Sequence, residues 1–330
     1  MNAFWLAIAL TFASAAEDRP VVLVVVGAPG TDDYAKQFGQ WTERWRAAAD
    51  RGQAECAVIG LDAEEKANDG EALKQRLAEL AKSSSQPLWL ILIGHGTFDG
   101  KTAKFNLRGP DVSSAELAEW LKPIERPLAI VNCASASGPF LNALSGPDRV
   151  VIAASKSGHE HNFARFGDYF SASIADPAAD LDKDEQTSVL EAFLAAAART
   201  ADFYKEDSRL ATEHALIDDN ADGLGTPADW FRGVRAVKTA KDGASPDGLR
   251  AGRWQLVPSR SELELPAEVR GRRDELELEI AALRQRKMEL PEDRYYAQLE
   301  PLVVELARLY EQFEASPGAT AAPPSSASAE

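Results

Sequence analysis

Hydrophobic and polar positions alternate in blocks along the first half of the chain. Five short runs of aliphatic and β-branched residues are typical of strands that are buried on both faces of a sheet. The segments between them are amphipathic, and one of them opens on the capping pair Ser113 and Glu116. Strands that alternate with helices predict an α/β fold with a mainly parallel sheet flanked by helices. The predicted strands are Val21–Gly27, Ala54–Leu61, Leu88–Ile93, Leu128–Val131 and Arg149–Ala154.

The pattern changes after the fifth run. Residues 163–237 are predicted to be helical with two acidic loops, which completes a domain from 20 to 237, and residues 238–264 form a linker rich in Gly, Lys and Asp. From 265 to 313, apolar residues recur at helical spacing in two segments separated by Pro291, which predicts a helical hairpin. Such a hairpin either packs on the main domain or joins chains through a coiled coil. Packing is favoured, because each helix offers about three heptads at most.

The two ends of the chain differ from the rest in composition. Residues 1–16 combine a short apolar core with small residues of the Ala-x-Ala type, which predicts a cleaved signal peptide and a secreted or periplasmic protein. An ordinary strand or a membrane anchor remains as an alternative, because no Lys or Arg precedes the apolar core. Residues 314–330 are small, polar and rich in Pro and Ser, which predicts a disordered tail.

The charge of the chain limits its partners. The formal net charge is −16, which disfavours nucleic acid or an anionic membrane as the main partner and is compatible with calcium or a cationic peptide. Charged residues make up 27% of the chain and apolar ones 45%, which is ordinary for a globular domain.

Two residues at predicted strand ends carry candidate chemistry. His95 follows the third strand and Cys133 follows the fourth. Because the carboxyl ends of parallel strands meet at one edge of a sheet, we expect an imidazole and a thiol within reach of each other. That arrangement suits a base and a nucleophile in acyl transfer. Cys56 is interpreted as a buried apolar residue, and His159 and His161 are competing bases or loop histidines.

Backbone groups near this pair complete the hypothesis. Gly96 follows His95, and its N–H together with that of Cys133 is predicted to form an oxyanion hole. A helix that starts just after Cys133 is expected to lower the pKa of the thiol through its N-terminal dipole.

These residues resemble a known family. Gly94-His95-Gly96 at one strand end and Asn132-Cys133 at the next are similar to the caspase/legumain clan of cysteine peptidases. The segments 105–107, 113–120, 134–138 and 167–170 resemble the legumain and GPI-transamidase branch, so the resemblance covers residues 20–175. It implies a caspase-like fold and a cysteine endopeptidase that acts on proteins or peptides, with His95 as base and Cys133 as nucleophile. Asn132 departs from the small residue that the family more often has there.

The family's specificity pocket would lie after the fifth strand. The candidate residues there are Ser155, Lys156, Glu160 and Asp168. Lys156 would favour an acidic substrate side chain, whereas Glu160 or Asp168 would favour a basic one. Each of these three charges is equally explained as a surface charge.

Two acidic loops match the spacing of calcium-binding loops. The first has Glu185 at the position where a sharp turn favours Gly, and the second has Gly223 there but a short Asp at its last position. Two such loops in one chain predict bound Ca²⁺, and the alternative is acidic loops that need no metal. The candidate ligands are Asp180, Asp182, Asp184, Gln186 (through its carbonyl), Ser188 and Glu191 in the first loop, and Asp218, Asn220, Asp222 and Asp229 in the second.

Two functional hypotheses follow from this sequence. The first is an exported, calcium-stabilised cysteine endopeptidase with a Cys133–His95 dyad and a thioester intermediate, which an amine acceptor would turn into a transpeptidase. The alternative is a catalytically silent module of the same fold that binds calcium or serves as a scaffold.

Overall fold

The structure is a computed structural model that describes residues 19–62, 67–81, 84–238, 246–287 and 289–314. The predicted signal peptide lies outside the described residues, and so does the predicted tail apart from residue 314. Both therefore stay predictions.

A seven-stranded sheet forms the centre of the molecule. Its strands are β1 (Val21–Val26), β2 (Glu55–Ile59), β3 (Leu88–Ile93), β7 (Leu128–Asn132), β8 (Arg149–Ala153), β9 (Leu216–Asp218) and β10 (Thr226–Pro227). They lie in the order β10-β9-β8-β7-β3-β1-β2. All pairs among β1, β2, β3, β7 and β8 are parallel, whereas β9 pairs antiparallel with β8 and β10 pairs antiparallel with β9. The prediction of a mainly parallel sheet flanked by helices is thus confirmed, and each of the five predicted strands lies in it.

Two smaller sheets and nine helices complete the described part of the chain. The short strands are β4 (Gly96–Phe98), β5 (Ala103–Phe105), β6 (Val112–Ser113), β11 (Phe231–Arg232) and β12 (Arg235–Ala236). The helices are α1 (Asp32–Arg51), α2 (Asp69–Leu80), α3 (Ser114–Leu121), α4 (Gly138–Leu144), α5 (Phe166–Ser173), α6 (Val189–Glu206), α7 (Arg260–Glu264), α8 (Ala267–Gln285) and α9 (Glu292–Glu314). None of the described helices combines the length and the apolar character needed to cross a membrane.

Alternate residues of each central strand face two separate apolar layers. In β3, Trp89 and Ile91 pack with the layer formed by α1, α5 and α6, whereas Leu90 and Leu92 pack with the layer formed by α2, α3 and α4. Burial on both faces explains why the strand sequence is continuously apolar. It also fixes the register that brings the strand ends together, because a slip by one residue would exchange the two faces.

The prediction of helices throughout 163–237 is wrong for its last part. Residues 216–236 contain four short strands and no α-helix, and β9 pairs with β8, where Ile217 lies opposite Ile152. The second acidic loop therefore connects two antiparallel strands of the main sheet and not two helices. Ile217 is fully buried in the main core, and this burial outweighs the local pattern of the sequence.

The two C-terminal helices form the predicted hairpin. Arg272 of α8 pairs with Glu305 of α9 at one end, and Lys287 lies over the ring of Tyr295 at the other. Arg253 forms an ion pair of 2.9 Å with Glu277 and so links the hairpin to the main domain. These contacts agree with the packing interpretation, while coiled-coil association of two chains stays a prediction.

Candidate active site

His95 lies just beyond the carboxyl end of β3 in an aromatic surrounding. The ring centroids of Tyr34, Phe38 and Phe163 lie 4.6, 5.3 and 5.9 Å from that of the imidazole. Its Nε2 atom lies 3.2 Å from the carbonyl oxygen of Pro29. Because a carbonyl only accepts, Nε2 carries the proton of this hydrogen bond, and Nδ1 of the neutral ring is left as an acceptor. This tautomer suits a general base that acts through Nδ1.

The adjacent strand β7 places Cys133 below the level of His95. Leu92 is the register partner of Asn132, and the N–H of Cys133 donates to the carbonyl of Leu92 at 2.9 Å. Continuing the register puts Cys133 beside Ile93, two residues before His95. Two residues correspond to about 6.6 Å along a strand.

The Cys133 side chain belongs to the core. It is 1% exposed, and a Cβ atom built on Gly167 would lie 3.0 Å from its sulfur and 2.7 Å from the Trp41 ring. The thiol is therefore packed under α1 and α5. The thiol is therefore buried and not exposed on the rim, and its role as nucleophile stays a prediction.

The expected activation of the thiol is also absent from its surroundings. Burial raises the pKa of Cys133 to about 12, where a lowered value was predicted. The helix dipole does not lower this pKa, because α4 begins at Gly138, five residues after Cys133, and the effect of a dipole falls off within the first turn. At neutral pH the thiolate is a very small fraction of this residue.

Ser135 is the residue that reaches the level of His95. Its Oγ lies 3.3 Å from the backbone nitrogen of Gly96 and donates to the Gly96 carbonyl at 3.1 Å. A Cβ atom at position 96 would lie 2.1 Å from the Ser135 carbonyl oxygen. Gly96 is thus required for the close approach of the two strand ends.

The two N–H groups predicted to form the oxyanion hole, those of Gly96 and Cys133, differ in their surroundings. The Gly96 N–H lies at the rim beside Ser135, as its prediction requires. The Cys133 N–H donates within the β3–β7 ladder to Leu92, so it cannot also bind an oxyanion. Sequence reasoning missed Ser135, which lies in the turn after β7 and contacts Gly96 through its hydroxyl.

The residue before Cys133 has a structural role. The Oδ1 atom of Asn132 accepts a hydrogen bond of 3.0 Å from the N–H of Ala134. This bond holds the turn by which the chain leaves β7 and reaches Ser135. Asn132, where the resemblance predicts a small residue, therefore helps to position the turn that leads to Ser135.

The loop after β8 closes one side of this rim. The Glu160 carbonyl accepts from the N–H of Ala136 at 2.8 Å. The buried Ser155 hydroxyl accepts from the N–H groups of Ser137 and Gly138 at 2.7 and 3.2 Å. Ser155 therefore fastens the loop and does not line a pocket, which corrects its predicted place.

The charges proposed for specificity are paired with protein groups. Lys156 lies 3.8 Å from Glu160, which also contacts Nδ1 of His214 at 2.5 Å. Asp168 forms an ion pair of 2.6 Å with Arg44 of α1. The exposed side chains of Lys156 and Asp168 agree with the interpretation as surface charges, whereas the Glu160 side chain is only 11% exposed.

The other rim histidines are exposed. The ring centroid of His159 lies 5.2 Å from that of Phe98, in an edge-on contact, and 6.1 Å from that of His161. His161 is exposed as well. No third ligand from His, Cys, Asp or Glu joins them among the described residues. A metal site of the His-x-His type therefore has no support there.

The first acidic loop brings three predicted ligands together. Carboxylate oxygens of Asp180, Asp182 and Asp184 lie within 4.8 Å of one another. The buried Glu191 already accepts from the backbone N–H groups of Leu181 and Asp182 and from both donors of Ser188.

The remaining predicted ligands of this loop have other partners. Ser188 is the cap of α6 and forms a capping box with Glu191. The side-chain oxygen of Gln186 accepts from the N–H of Ser259 at 3.0 Å, which ties the loop to the segment before the hairpin. The carbonyl of Gln186, its predicted ligand, is not engaged by this bond.

In the second acidic loop the structure corrects one ligand. Asp229 pairs with Lys238 at 2.7 Å on the exposed surface and follows β10 in a short 3₁₀ turn. It therefore cannot close a calcium loop in the way that its spacing suggested. Asp218, Asn220 and Asp222 remain together in the turn between β9 and β10.

Comparisons with known proteins find structures but no sequences. Neither a protein-family model nor a curated protein matches the chain. It is similar to the Drosophila initiator caspase Dronc, with 14% identity over 63% of this chain and 82% of that one and a TM-score of 0.42. Caspase-1 from Spodoptera frugiperda follows, with 9% identity over 61% and 86% and a TM-score of 0.40.

Raptor from Chaetomium thermophilum is also similar, with 9% identity over 48% of this chain and 18% of that one and a TM-score of 0.34. Identities and TM-scores of this size assign no activity to this chain. Two of the three structures are caspases by name, and none is named as a legumain or a GPI transamidase, so that branch stays a prediction.

Proposed function

We propose that the chain is a hydrolase of peptide or related acyl bonds, with His95 as general base and Ser135 as nucleophile. The observation that carries this proposal is the pair of hydrogen bonds between the Ser135 hydroxyl and the backbone of Gly96, the residue after His95. The Gly96 N–H beside Ser135 supports it, because an acyl-transfer site needs a donor there. The bond from His95 to Pro29 supplies the third, orienting partner of such a site.

A short reaction sequence follows from these positions. The Ser135 hydroxyl gives its proton to Nδ1 of His95 while Oγ bonds to the substrate carbonyl carbon. The carbonyl–nitrogen bond breaks, and His95 returns the proton to the leaving amine. Water then attacks the ester with His95 again as base, which releases the acid and restores Ser135.

One side-chain rotation connects this sequence to the structure. The proposed reaction requires Ser135 Oγ to turn from Gly96 toward His95, which would make the Gly96 N–H available to the oxyanion. Staggered rotamers of a serine interconvert at low cost when the new position also offers a hydrogen bond. The earlier hypothesis of a Cys133 thioester needs a larger rearrangement, because the thiol lies in the core.

The test is covalent labelling of the full chain with a fluorophosphonate probe, followed by peptide mass spectrometry. We expect labelling at Ser135, its loss in Ser135→Ala and His95→Ala, and its retention in the matched control Cys133→Ala. Labelling of Cys133 by a peptidyl electrophile, with loss in His95→Ala, would instead support the cysteine dyad. Circular dichroism of each variant separates loss of reactivity from loss of folding.

A second candidate function has one observation in its favour. In the structure the Ser135 hydroxyl engages both backbone groups of Gly96, which leaves it no donor for His95. A purely structural Ser135 would fit a catalytically silent module that binds partners. Absence of labelling by either probe in a folded wild-type chain would support that function and overturn the hydrolase.

Export and calcium dependence are separate parts of this proposal. Export rests on the apolar start of the chain, and cleavage after residue 16 is tested by N-terminal sequencing of the exported protein. Calcium dependence rests on the calcium-loop spacing of the acidic residues and is tested by measuring hydrolysis with and without a chelator.

A further inference from the structure

The turn between β9 and β10 contains a buried carboxylate that is only partly compensated. Asp218 is 1% exposed, and its Oδ1 atom accepts from the N–H of Ala221 at 3.1 Å. Its Oδ2 atom is buried and has no hydrogen-bond partner. Ser145 and Gly223 lie near enough to favour the charged form, but burial opposes it more strongly. A buried carboxylate oxygen without a partner is unfavourable unless a cation is supplied.

Two further oxygen-bearing side chains surround the same turn. The Oδ1 atom of Asn220 accepts from the N–H of Asp222 at 2.9 Å, and Asp222 accepts from the N–H of Leu224 at 2.7 Å. The amide of Asn220 donates to the other Asp222 oxygen at 3.2 Å. All three side chains thus fold back over the turn, where Asp222 adds a second negative charge close to Asp218.

The surroundings increase the negative charge. Asp247 accepts from the N–H groups of Asp219 and Asn220 and from the Thr226 hydroxyl. Asp219 in turn accepts from three backbone N–H groups, those of Gly248, Arg250 and Ala251. Because the carboxylates of Asp247 and Asp219 already accept these hydrogen bonds, they hold the turn in place and are not counted as ligands of a cation.

The first acidic loop makes a useful contrast. Both carboxylate oxygens of Asp180 accept backbone N–H groups, from Lys183 and Glu185. The Lys183 ammonium group contacts the Asp180 carbonyl, and the four donors around Glu191 satisfy that side chain. No buried side-chain oxygen of that loop, which the structure describes throughout, lacks a hydrogen-bond partner, whereas the turn after β9 has one such oxygen.

We propose that the turn between β9 and β10 binds one divalent cation of the calcium class through Asp218, Asn220 and Asp222. Hard oxygen ligands of this kind prefer Ca²⁺, whose flexible coordination accepts water in the remaining positions. Because only three side chains contribute and Asp229 does not, we expect a Kd of about 10⁻⁴–10⁻³ M, the range of extracellular calcium modules. The site is independent of the proposed hydrolase.

The site would fasten the edge of the sheet to α4. The N–H of Gly223 donates to the Ser145 hydroxyl at 3.0 Å, and the Asn142 amide donates to the Gly223 carbonyl at 2.6 Å. A cation held by Asp218 and Asp222 bridges the two ends of this turn, so binding stabilises the folded state by mass action.

The experiment is calcium titration of the chelator-treated full chain, followed by calorimetry and by the melting temperature Tm. We expect one bound Ca²⁺, a rise of Tm in about 10 mM CaCl₂, and little rise in the same concentration of MgCl₂. Asp222→Asn, at an exposed position, weakens binding about tenfold or more. Asp218→Asn raises the calcium-free Tm or leaves it unchanged, because it removes the buried charge.

Two control variants locate the site. Asp180→Asn and Asp229→Asn should bind Ca²⁺ with the affinity of the wild type. Loss of binding in Asp180→Asn with full binding in Asp222→Asn would place the cation in the first loop and overturn the proposal. Absence of any Ca²⁺-dependent heat or Tm change in the wild type would overturn it as well.

Discussion

The hydroxyl of Ser135 lies 3.3 Å from the backbone nitrogen of Gly96, where the ends of β7 and β3 converge. The contact connects two strand ends that are adjacent in the sheet and 39 residues apart in sequence. It places Ser135, in the turn after β7, beside Gly96. Cys133, two residues earlier, faces the core, so reactivity at this edge of the sheet has to be tested at two neighbouring positions.

The Cys133 thiol should be slow to react in the folded protein. Its pKa is raised to about 12, so below that pH the protonated form dominates and the thiolate rises about tenfold per pH unit. We expect the rate of iodoacetamide labelling at Cys133 to increase from pH 7 to pH 10 without a plateau. Labelling at the half-buried Cys56 serves as the internal reference. A plateau below pH 9 at Cys133 would show an activated thiol and revive the cysteine dyad.

Replacing Gly96 with alanine should destabilise the fold. The added methyl group would meet the Ser135 carbonyl oxygen at 2.1 Å, and because that oxygen belongs to the backbone, the two chain segments must separate. We expect a loss of about 1–3 kcal/mol in the free energy of unfolding, measured by urea denaturation. Gly39 in the middle of α1 has open space around it, so Gly39→Ala is the matched control and should stabilise by about 0.5–1 kcal/mol. Equal stability of both variants would contradict the close approach.

The neutral His95 ring should carry its proton on Nε2. The Pro29 carbonyl 3.2 Å away only accepts hydrogen bonds, which selects this tautomer. Nitrogen chemical shifts of the imidazole at a pH above its titration distinguish the two tautomers. We expect a protonated Nε2 and an unprotonated Nδ1, with exposed His161 as the reference for an unconstrained ring. A protonated Nδ1 would remove the proposed base.

Glu213 should make the stability of the domain fall as pH rises. Its carboxylate caps the start of α5 by accepting from the N–H groups of Arg165 and Phe166, yet burial raises its pKa in the folded state. A raised folded-state pKa means that the contribution is fully present below the unfolded value and is lost as pH passes the folded value. We expect the advantage of the wild type over Glu213→Gln in the free energy of unfolding to shrink from pH 4 upward. An advantage that grows with pH would mean that the hydrogen bonds dominate burial.

The strands and the position of His95 were predictable because they depend on local patterns. Five apolar runs and the residue after the third of them suffice to place an imidazole at the carboxyl edge. Ser135 was missed because its position depends on the turn that follows β7, and the run of small residues after Cys133 carries no periodic signal. Register between strands is fixed by packing on both faces, and the sequence of one strand does not contain it.

The second acidic loop failed as a helical motif for a related reason. Spacing predicts which oxygens fall on one side of a turn, and it did so for Asp218, Asn220 and Asp222. It does not predict whether the flanking segments become helices or strands, because burial of Ile217 against the sheet decided that. Asp229 lies beyond β10 and forms an ion pair with Lys238, so it does not join the other three oxygen-bearing side chains of the turn.

Strand β10 also affects how copies of this protein meet one another. It is the last strand on its side of the sheet, two residues long, and one of them is Pro227, which has no N–H to offer. An edge strand this short, with a proline in it, offers too few backbone hydrogen-bonding groups to pair with a strand of another chain. Aggregation by extension of the sheet is therefore disfavoured at this edge. Self-association there would have to proceed through side chains, and the exposed Val303 and Tyr310 of α9 offer a more favourable surface for it.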